Sequence, residues 1–137
     1  MEQAQITDTY VQKTRDISVS VTPQFIESES DPLENVYVFA YHVVLENTGD
    51  QTVQLLNRHW IVMSGGIQIA DVKGEGVIGE QPVLEPGDTH QYTSWTVIRD
   101  PFGSMYGTYT FRSARGEFFD VKIPRFNLIH IDSSTVH

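Results

Sequence analysis

Apolar and polar residues alternate along most of this chain with a period of two, which is the pattern of a β-strand that buries one face. The first clear case begins after Asp16, where Ile17, Val19 and Val21 alternate with serine and threonine. Turn clusters rich in glycine, proline, asparagine and aspartate separate such stretches. No stretch has the period of 3.6 residues that is typical of an amphipathic helix, so we predict an all-β protein. Its further strands are expected near residues 36–46, 51–64, 67–73, 89–98, 108–112 and 118–123.

The predicted strand at residues 36–46 is apolar on both faces. Its two faces carry Tyr37, Phe39 and Tyr41 on one side and Val36, Val38 and Val44 on the other. A strand of this kind is covered by a layer on each side, or it takes part in an interface between subunits. The pattern therefore favours an antiparallel β-sandwich of seven to eight strands, with fibronectin type III or immunoglobulin-like architecture. A closed β-barrel is the alternative.

The length of 137 residues is that of one domain. We expect residues 1–15, which are polar and aperiodic, to form a flexible segment or a poorly anchored edge. Residues 16–127 are expected to form the sandwich. Residues 128–137 are expected to be a tail whose Leu-Ile-His-Ile run could add a short strand. Pro124 lacks a backbone N–H, so the strand that precedes it is not expected to continue as a central one.

Composition narrows the classes of function. The chain has no cysteine, which excludes disulfides, thiolate zinc sites and cysteine nucleophiles and favours a reducing compartment. The first residues do not resemble a signal peptide, and no apolar run reaches the ~20 residues of a membrane span. We therefore expect a cytoplasmic protein without a membrane partner. The formal charge of −9 repels phosphate backbones, so no nucleic-acid partner is expected, and cations or a basic protein surface are favoured.

Several long strings of residues resemble the ApaG family in order and spacing. They are ESESDPLENVYVFAYHVVLENTG, VQLLNRHWIV, GEGVIGEQPVLEPGD, QYTSW and FFDVKIPRF. This resemblance implies a small sandwich of fibronectin type and a non-catalytic protein-binding role. It also implies an association with diadenosine-tetraphosphate metabolism and with cobalt and magnesium homeostasis. Trp95 stands where the family usually has a small residue.

The run from Gly74 to Pro82 contains the GxGxxG spacing of phosphate-binding loops, with glycines at 74, 76 and 79. In such loops a helix follows and its N-terminus faces the phosphate, but here Pro82 and a predicted strand follow. The functional hypothesis is a backbone nest for an anion, assisted by Lys73. The alternative interpretation, which we favour, is that these glycines permit positive φ angles in a tight bend.

Residues 57–60, with the sequence Asn-Arg-His-Trp, are a second candidate site. Arg58 and Trp60 share one strand face, and both residue types dominate protein-binding surfaces. We therefore consider Arg58, Trp60 and Trp95 as an interaction surface. The more conservative interpretation pairs Arg58 with a carboxylate on a neighbouring strand and places Trp60 in the core.

Metal-binding and catalytic patterns are weak. The five histidines, at 42, 59, 90, 130 and 137, show no ligand spacing such as HxH or HExxH. His42 and His90 could approach one another if their strands pair. The sequence has no GxSxG elbow, and its acid pairs lack an apolar setting that would raise one pKa. We therefore expect no metal site, no cofactor and no catalytic residue.

The sequence thus favours a non-catalytic module that binds another protein. A homodimer is an option if the second apolar face of the strand at 36–46 is not covered within the chain. The alternative function is a small-ligand sensor. It would bind pyrophosphate, a nucleotide polyphosphate or a divalent cation at the loop formed by residues 74–79, through Lys73, Gly74, Gly76 and Gly79.

Overall fold

The structure is a computed structural model, and it describes residues 8–131. Its regular structure consists of nine β-strands, with two short 3₁₀ turns at Glu27–Glu29 and Pro32–Glu34 between the second strand and the third. In chain order the strands are β1 Tyr10–Thr14, β2 Ile17–Phe25, β3 Tyr37–Asn47, β4 Val53–Ser64, β5 Ile67–Glu75, β6 Val83–Leu84, β7 Thr89–Ile98, β8 Phe102–Ser113 and β9 Phe118–Ile129.

The strands form two antiparallel sheets that pack face to face, so the predicted β-sandwich is confirmed. Sheet 1 has the order β1-β2-β3-β7. Sheet 2 has the order β5-β4-β8-β9, and the short β6 also pairs with β4. Each described sheet ends in two edge strands, so these strands do not form the closed barrel that was the alternative.

The core lies between the sheets, and the alternation seen in the sequence fills it. The apolar residues of β2, including Ile17, Val19 and Val21, are buried, while the serines and threonines between them are not. From sheet 2, the rings of Tyr109 and Phe126 lie 6.2 and 5.9 Å from the ring of Trp60 between their centroids. Burial of these apolar surfaces is the main favourable term in folding.

Strand β3 is apolar on both faces, as predicted, but only one face lies against the other sheet. On the outer face, Val38 is in register with Val97 and Ala40 with Trp95, both on β7. The larger neighbours leave Val38 and Ala40 only 8% exposed, whereas Trp95 remains 55% exposed. No described layer covers this outer face, which differs from the expectation of cover on both sides.

The structure differs from the expected flexible segment at residues 1–15. Residues 10–14 form β1, an edge strand that pairs with β2. Its inner face packs on β9, and the rings of Tyr10 and Phe126 lie 6.2 Å apart. The pattern of alternating residues did not predict this short, polar strand, because Tyr10 is its only large apolar residue that faces inward. The first part of the expected flexible segment, residues 1–7, lies outside the described residues.

The expected boundary at residue 127 is also wrong, because β9 continues through Pro124 to Ile129. Strand β9 is an edge strand, so proline costs no hydrogen bond on the unpaired flank. A register shift in the pairing of β8 with β9, between Met105 and Gly107, accommodates the irregularity. Leu128 is fully buried and holds this end of the strand to the core. The end of the expected tail, residues 132–137, lies outside the described residues.

Candidate functional site

A cavity of about 250 Å³ lies between the two sheets on the side of the sandwich that is bounded by the edge strands β5 and β7. On the opposite side, β1 and β2 pack directly on β9 and close the sandwich. The residues that line the cavity and carry polar groups come from four strands: Tyr41 from β3, Arg58 and Trp60 from β4, Glu75 from β5, and Tyr92 and Ser94 from β7. The cavity also contacts Gly79 in the loop after β5.

Arg58 reaches the cavity because β4 contains a bulge. The pairing of β4 with β8 shifts between Leu55 and Asn57, so one extra residue enters β4 at this point. Leu55 and Trp60 both lie in the core, and the shift puts Arg58 on their face. Arg58 and Trp60 do share a face, as predicted, but it is the inner one.

Backbone atoms hold the guanidinium of Arg58 in place. Its Nη1 donates hydrogen bonds to the carbonyl oxygens of Glu75, at 2.8 Å, and Gly76, at 2.9 Å. The guanidinium lies against Gly74, where a β-carbon would come within 2.9 Å of its Cζ and of both terminal nitrogens. Arg58 therefore does not pair with a carboxylate, which corrects that prediction. Among the described residues, its Nε and Nη2 have no hydrogen-bond partner.

Three tyrosine hydroxyls lie deeper in the same region. The hydroxyls of Tyr92 and Tyr109 share a hydrogen bond. Burial raises the pKa of Tyr92 and of Tyr109, and it also raises the pKa of Tyr41. The nearby charge of Arg58 opposes each of these increases without cancelling them. All three hydroxyls therefore remain protonated and able to donate hydrogen bonds at physiological pH.

The raised pKa values of Tyr92 and Tyr109 predict a loss of stability in alkali. Above the ordinary pKa of 10.0, an unfolded tyrosine releases its proton while the folded one keeps it. The stability that these two tyrosines contribute is thus fully present below about pH 10. It is lost as the pH rises toward the pKa values of the folded state. Urea unfolding of the wild type and of Tyr109→Phe across this range measures the effect. We expect a shallower decline in the variant, and equal slopes would contradict the assignment.

The loop at residues 74–79 has a structural explanation for each glycine. Gly74 makes room for Arg58, and Gly76 adopts a φ of 63° where a β-carbon would collide with the carbonyl oxygen of Glu80. Ile78 and Gly79 have φ angles of 48° and 74°, which suit the centre of a two-residue type I′ hairpin turn.

The same loop uses its N–H groups internally. Gly76 donates to Leu56, and Val77 and Glu80 exchange hydrogen bonds across the turn. Lys73 is in register with His59, and its face of β5 is opposite to that of Gly74, which is in register with Arg58. The structure therefore brings Gly79 to the cavity and Gly74 against the guanidinium of Arg58, but it does not bring Lys73 to the cavity.

Of the three residues predicted for an interaction surface, only Trp95 is on the surface. Trp60 is 4% exposed and belongs to the core, so its assignment to a surface is wrong. Arg58 is half-buried in the cavity. Trp95 lies on the outer face of β7. Because of the bulge in β4, Arg58 faces the same side as Leu55 instead of the opposite side. No pattern of residues in the sequence marked the position of this bulge.

The strands of His42 and His90 do pair, but the two histidines face opposite ways. His42 is on the outer face, where its ring nitrogens contact the hydroxyl of Thr93 and the amide oxygen of Gln91. His90 is in register with Leu45 on the inner face. In residues 8–131, no group of three or more histidine, aspartate or glutamate side chains is placed to hold a metal ion. The same range contains no helix with the length and apolar character of a membrane span.

Sequence reasoning missed Tyr41, Tyr92 and Ser94 as residues that line the cavity. A usable pattern was present on β7, where His90, Tyr92, Ser94 and Thr96 alternate on the inward face. Polar groups at these four inward positions, before the buried Ile98, mark a stretch of strand that does not lie over a closed core. The partner residue Tyr41 carried no such pattern, because its neighbours on β3 are apolar.

Comparison with known proteins places the chain in one family. The family model described as the ApaG domain matches residues 27–113. Protein ApaG of Mesorhizobium japonicum is 48% identical over 115 residues, which are 84% of this chain and 88% of that protein. Protein ApaG of Paramagnetospirillum magneticum is 48% identical over 119 residues, which are 87% of this chain and 92% of that protein.

A solved structure agrees with this result. The crystal structure of the putative ApaA protein from Bordetella pertussis superimposes with a TM-score of 0.83 at 42% sequence identity. The superposition covers 86% of this chain and 96% of that one. The sequence and fold together show that the chain belongs to the ApaG family.

Proposed function

We propose that this protein is a non-catalytic module that binds another protein through the outer face of β3 and β7 and the free edge of β7. The observation that carries this proposal is the character of β7. It is a ten-residue edge strand with the sequence THQYTSWTVI, which contains no charged residue and no proline. A long uncharged edge of this kind is a template for pairing with a strand of another chain.

The other three edge strands are each protected against such pairing. Strand β1 has only five residues and contains Lys13. Strand β5 contains Asp71 and Lys73, and a register shift interrupts its pairing with β4. Strand β9 contains Pro124 and a second register shift. Short length, charge, proline and bulges are the devices that keep edge strands monomeric, and β7 has none of them.

The outer face beside this edge supports the same function. Its side chains on β2, β3 and β7 are uncharged over successive rows, and they include Val38, Ala40, Trp95 and Val97. Trp95 and Val97 are 55% and 47% exposed. Tryptophan is enriched among the residues that dominate binding energy. We infer that a partner strand adds to β7 while its side chains cover Trp95 and Val97, a mode known as β-strand addition.

The net charge of the chain indicates the chemistry of the partner. With a formal charge of −9, two copies of this protein repel one another at long range, whereas a basic segment is attracted. The partner we propose is therefore a different protein with a basic extended segment. The associations that the family resemblance implies, with diadenosine tetraphosphate and with cobalt and magnesium, would then be effects of this partner.

The alternative, a sensor of pyrophosphate, nucleotide polyphosphate or a divalent cation at residues 74–79, has less support. The N–H groups of Gly76, Val77 and Glu80 already have acceptors in the loop. A phosphate nest needs such groups to be free. Glu75 and Glu80 also oppose an anion there. A divalent cation has no cluster of ligands in the described part of the chain.

Photo-crosslinking tests the protein-binding proposal. A photoreactive amino acid replaces Trp95 in the full chain in its host cells, and the matched control replaces Thr108 on the outer face of sheet 2. We expect one defined adduct with a second protein from position 95 and none from position 108. Val97→Lys, which places a charge on the edge, should remove that adduct, whereas Thr108→Lys should not.

Two outcomes would contradict this proposal. Equal crosslinking from both positions would show that the face around Trp95 is not specific. Adducts that contain only two copies of this chain would show that β7 joins a homodimer instead of binding a different protein. Val97 is exposed and Thr108 is partly exposed, so we expect the stabilities of both lysine variants to remain within about 1 kcal/mol of the wild type.

A further inference from the structure

We infer that the cavity between β5 and β7 binds a small organic carboxylate, with the Nε and Nη2 edge of Arg58 as its anchor. This site lies inside the sandwich, on the opposite side of sheet 1 from the exposed Trp95. The inference therefore does not depend on the proposed protein partner.

The free edge of the guanidinium has the geometry of a carboxylate receptor. Nη1 is committed to the two carbonyl oxygens of Glu75 and Gly76, which leaves Nε and Nη2 side by side without a partner in the described residues. Two parallel N–H donors at this spacing match the two oxygens of a carboxylate. Because the carbonyl oxygens and Gly74 already fix the plane of the guanidinium, binding costs little further ordering of this side chain.

The positive charge of Arg58 is not neutralised by an ion pair within the described residues. The contacts of Arg58 with Glu75 and Gly76 involve backbone carbonyl oxygens and no carboxylate. The described salt bridges are those of Arg15 with Glu117 and of His59 with Asp71, and neither includes Arg58. A half-buried cation without a counter-charge favours an anion that enters the cavity.

Other groups in the cavity are donors as well. Three residues that carry hydroxyls, Tyr41, Ser94 and Tyr92, belong to its lining. Since the pKa values of both tyrosines are raised, these hydroxyls stay protonated and can donate. A cavity that offers mostly donors fits a ligand that offers acceptors.

The size and walls of the cavity select a monoanion with a flat apolar body. The rings of Tyr41, Trp60 and Tyr92 supply aromatic walls, and the volume of about 250 Å³ suits a ligand of about the size of one substituted ring. A phosphate or polyphosphate is a poorer fit. Arg58 is the one cation among the lining residues, so a second negative charge on the ligand would have no counter-charge there.

Titration with sodium benzoate, followed by the backbone amide signals of the folded protein, tests this inference. Benzamide has the same shape without the charge, and inorganic phosphate has the charge without the ring; both are titrated at the same ionic strength. We expect saturable shifts at Gly79 and Ser94 with benzoate. Binding of benzamide and of phosphate should be weaker by about tenfold or more, because benzamide lacks the charge and phosphate lacks the ring.

A pair of glycine variants tests the position of the guanidinium without removing its charge. In Gly74→Ala the new β-carbon displaces the flexible end of Arg58, so we expect the affinity for benzoate to fall by about fivefold or more. The matched control is Gly66→Ala, where a β-carbon meets no atom within 4 Å and the affinity should not change. Arg58→Lys, which keeps the charge but loses the parallel donors, should also bind benzoate more weakly.

Three results would overturn the inference. The first is an absence of saturable shifts at millimolar benzoate. The second is equal affinity for benzoate and benzamide, which would show that only the apolar walls bind. The third is equal affinity of Gly74→Ala and Gly66→Ala for benzoate, which would show that the fixed guanidinium is not the anchor.

Discussion

Replacing Trp60 by alanine is expected to lower the free energy of unfolding by about 3–5 kcal/mol. The indole is 4% exposed and lies between the sheets, where its ring centroid is 5.2 Å from that of Tyr41 and 5.9 Å from that of Phe126. Removal of such a side chain costs its transfer free energy and leaves a cavity that neighbouring strands cannot fill. The total free energy of unfolding of a small domain is about 5–15 kcal/mol, so this loss is a large share of it.

Urea denaturation followed by circular dichroism measures this loss, and Trp95→Ala is the matched control. Trp95 is 55% exposed on the outer face of β7, so its replacement should change the stability by no more than about 1 kcal/mol. The two variants should therefore separate a core role from a surface role. Similar stability losses in both variants would contradict the positions that the structure gives the two indoles.

Gly107→Ala is expected to destabilise the protein by about 3–5 kcal/mol, although it adds only one methyl group. Gly107 lies in the interior strand β8, in register with Trp60 on β4. A β-carbon at this position would lie 1.8 Å from the carbonyl oxygen of His59 and 3.2 Å from the Cα of Trp60. Because both neighbours are backbone atoms, no side-chain rotation relieves the collision, and the two strands must separate.

The amount of soluble folded protein and the urea midpoint both measure this effect. Gly66→Ala provides the same chemical change at a position with open space, and it should stay within about 1 kcal/mol of the wild type. A Gly107→Ala protein with wild-type stability would show that β4 and β8 do not approach as closely here as the structure indicates.

Most of the sandwich could be predicted because its strands follow a simple physical rule. Alternation with a period of two marked β2 and the later strands, and the two-faced character of β3 indicated a central strand. The rule fails where a strand buries few large side chains. Strand β1 has one large apolar residue facing inward, Tyr10, so its sequence resembles that of a loop.

The candidate site was much less predictable. The sequence shows two separate motifs, the glycines at 74, 76 and 79 and the pair Arg58 and Trp60. In the structure, Gly74 makes room for the guanidinium of Arg58, and Gly76 supplies one of its acceptors. This relation depends on the pairing of β4 with β5 and on the bulge in β4. Neither can be derived from local pattern, because register is set by contacts between distant residues.

By itself, the sequence determined the all-β class, the approximate limits of most strands, and the family. These properties follow from local periodicity, turn residues and composition, which act over a few positions along the chain. The tertiary structure alone decided that Arg58 faces inward, that β7 is an unprotected edge and that a cavity separates β5 from β7. The order of strands in a sheet joins segments far apart in the chain, and this order determines which groups remain without a partner.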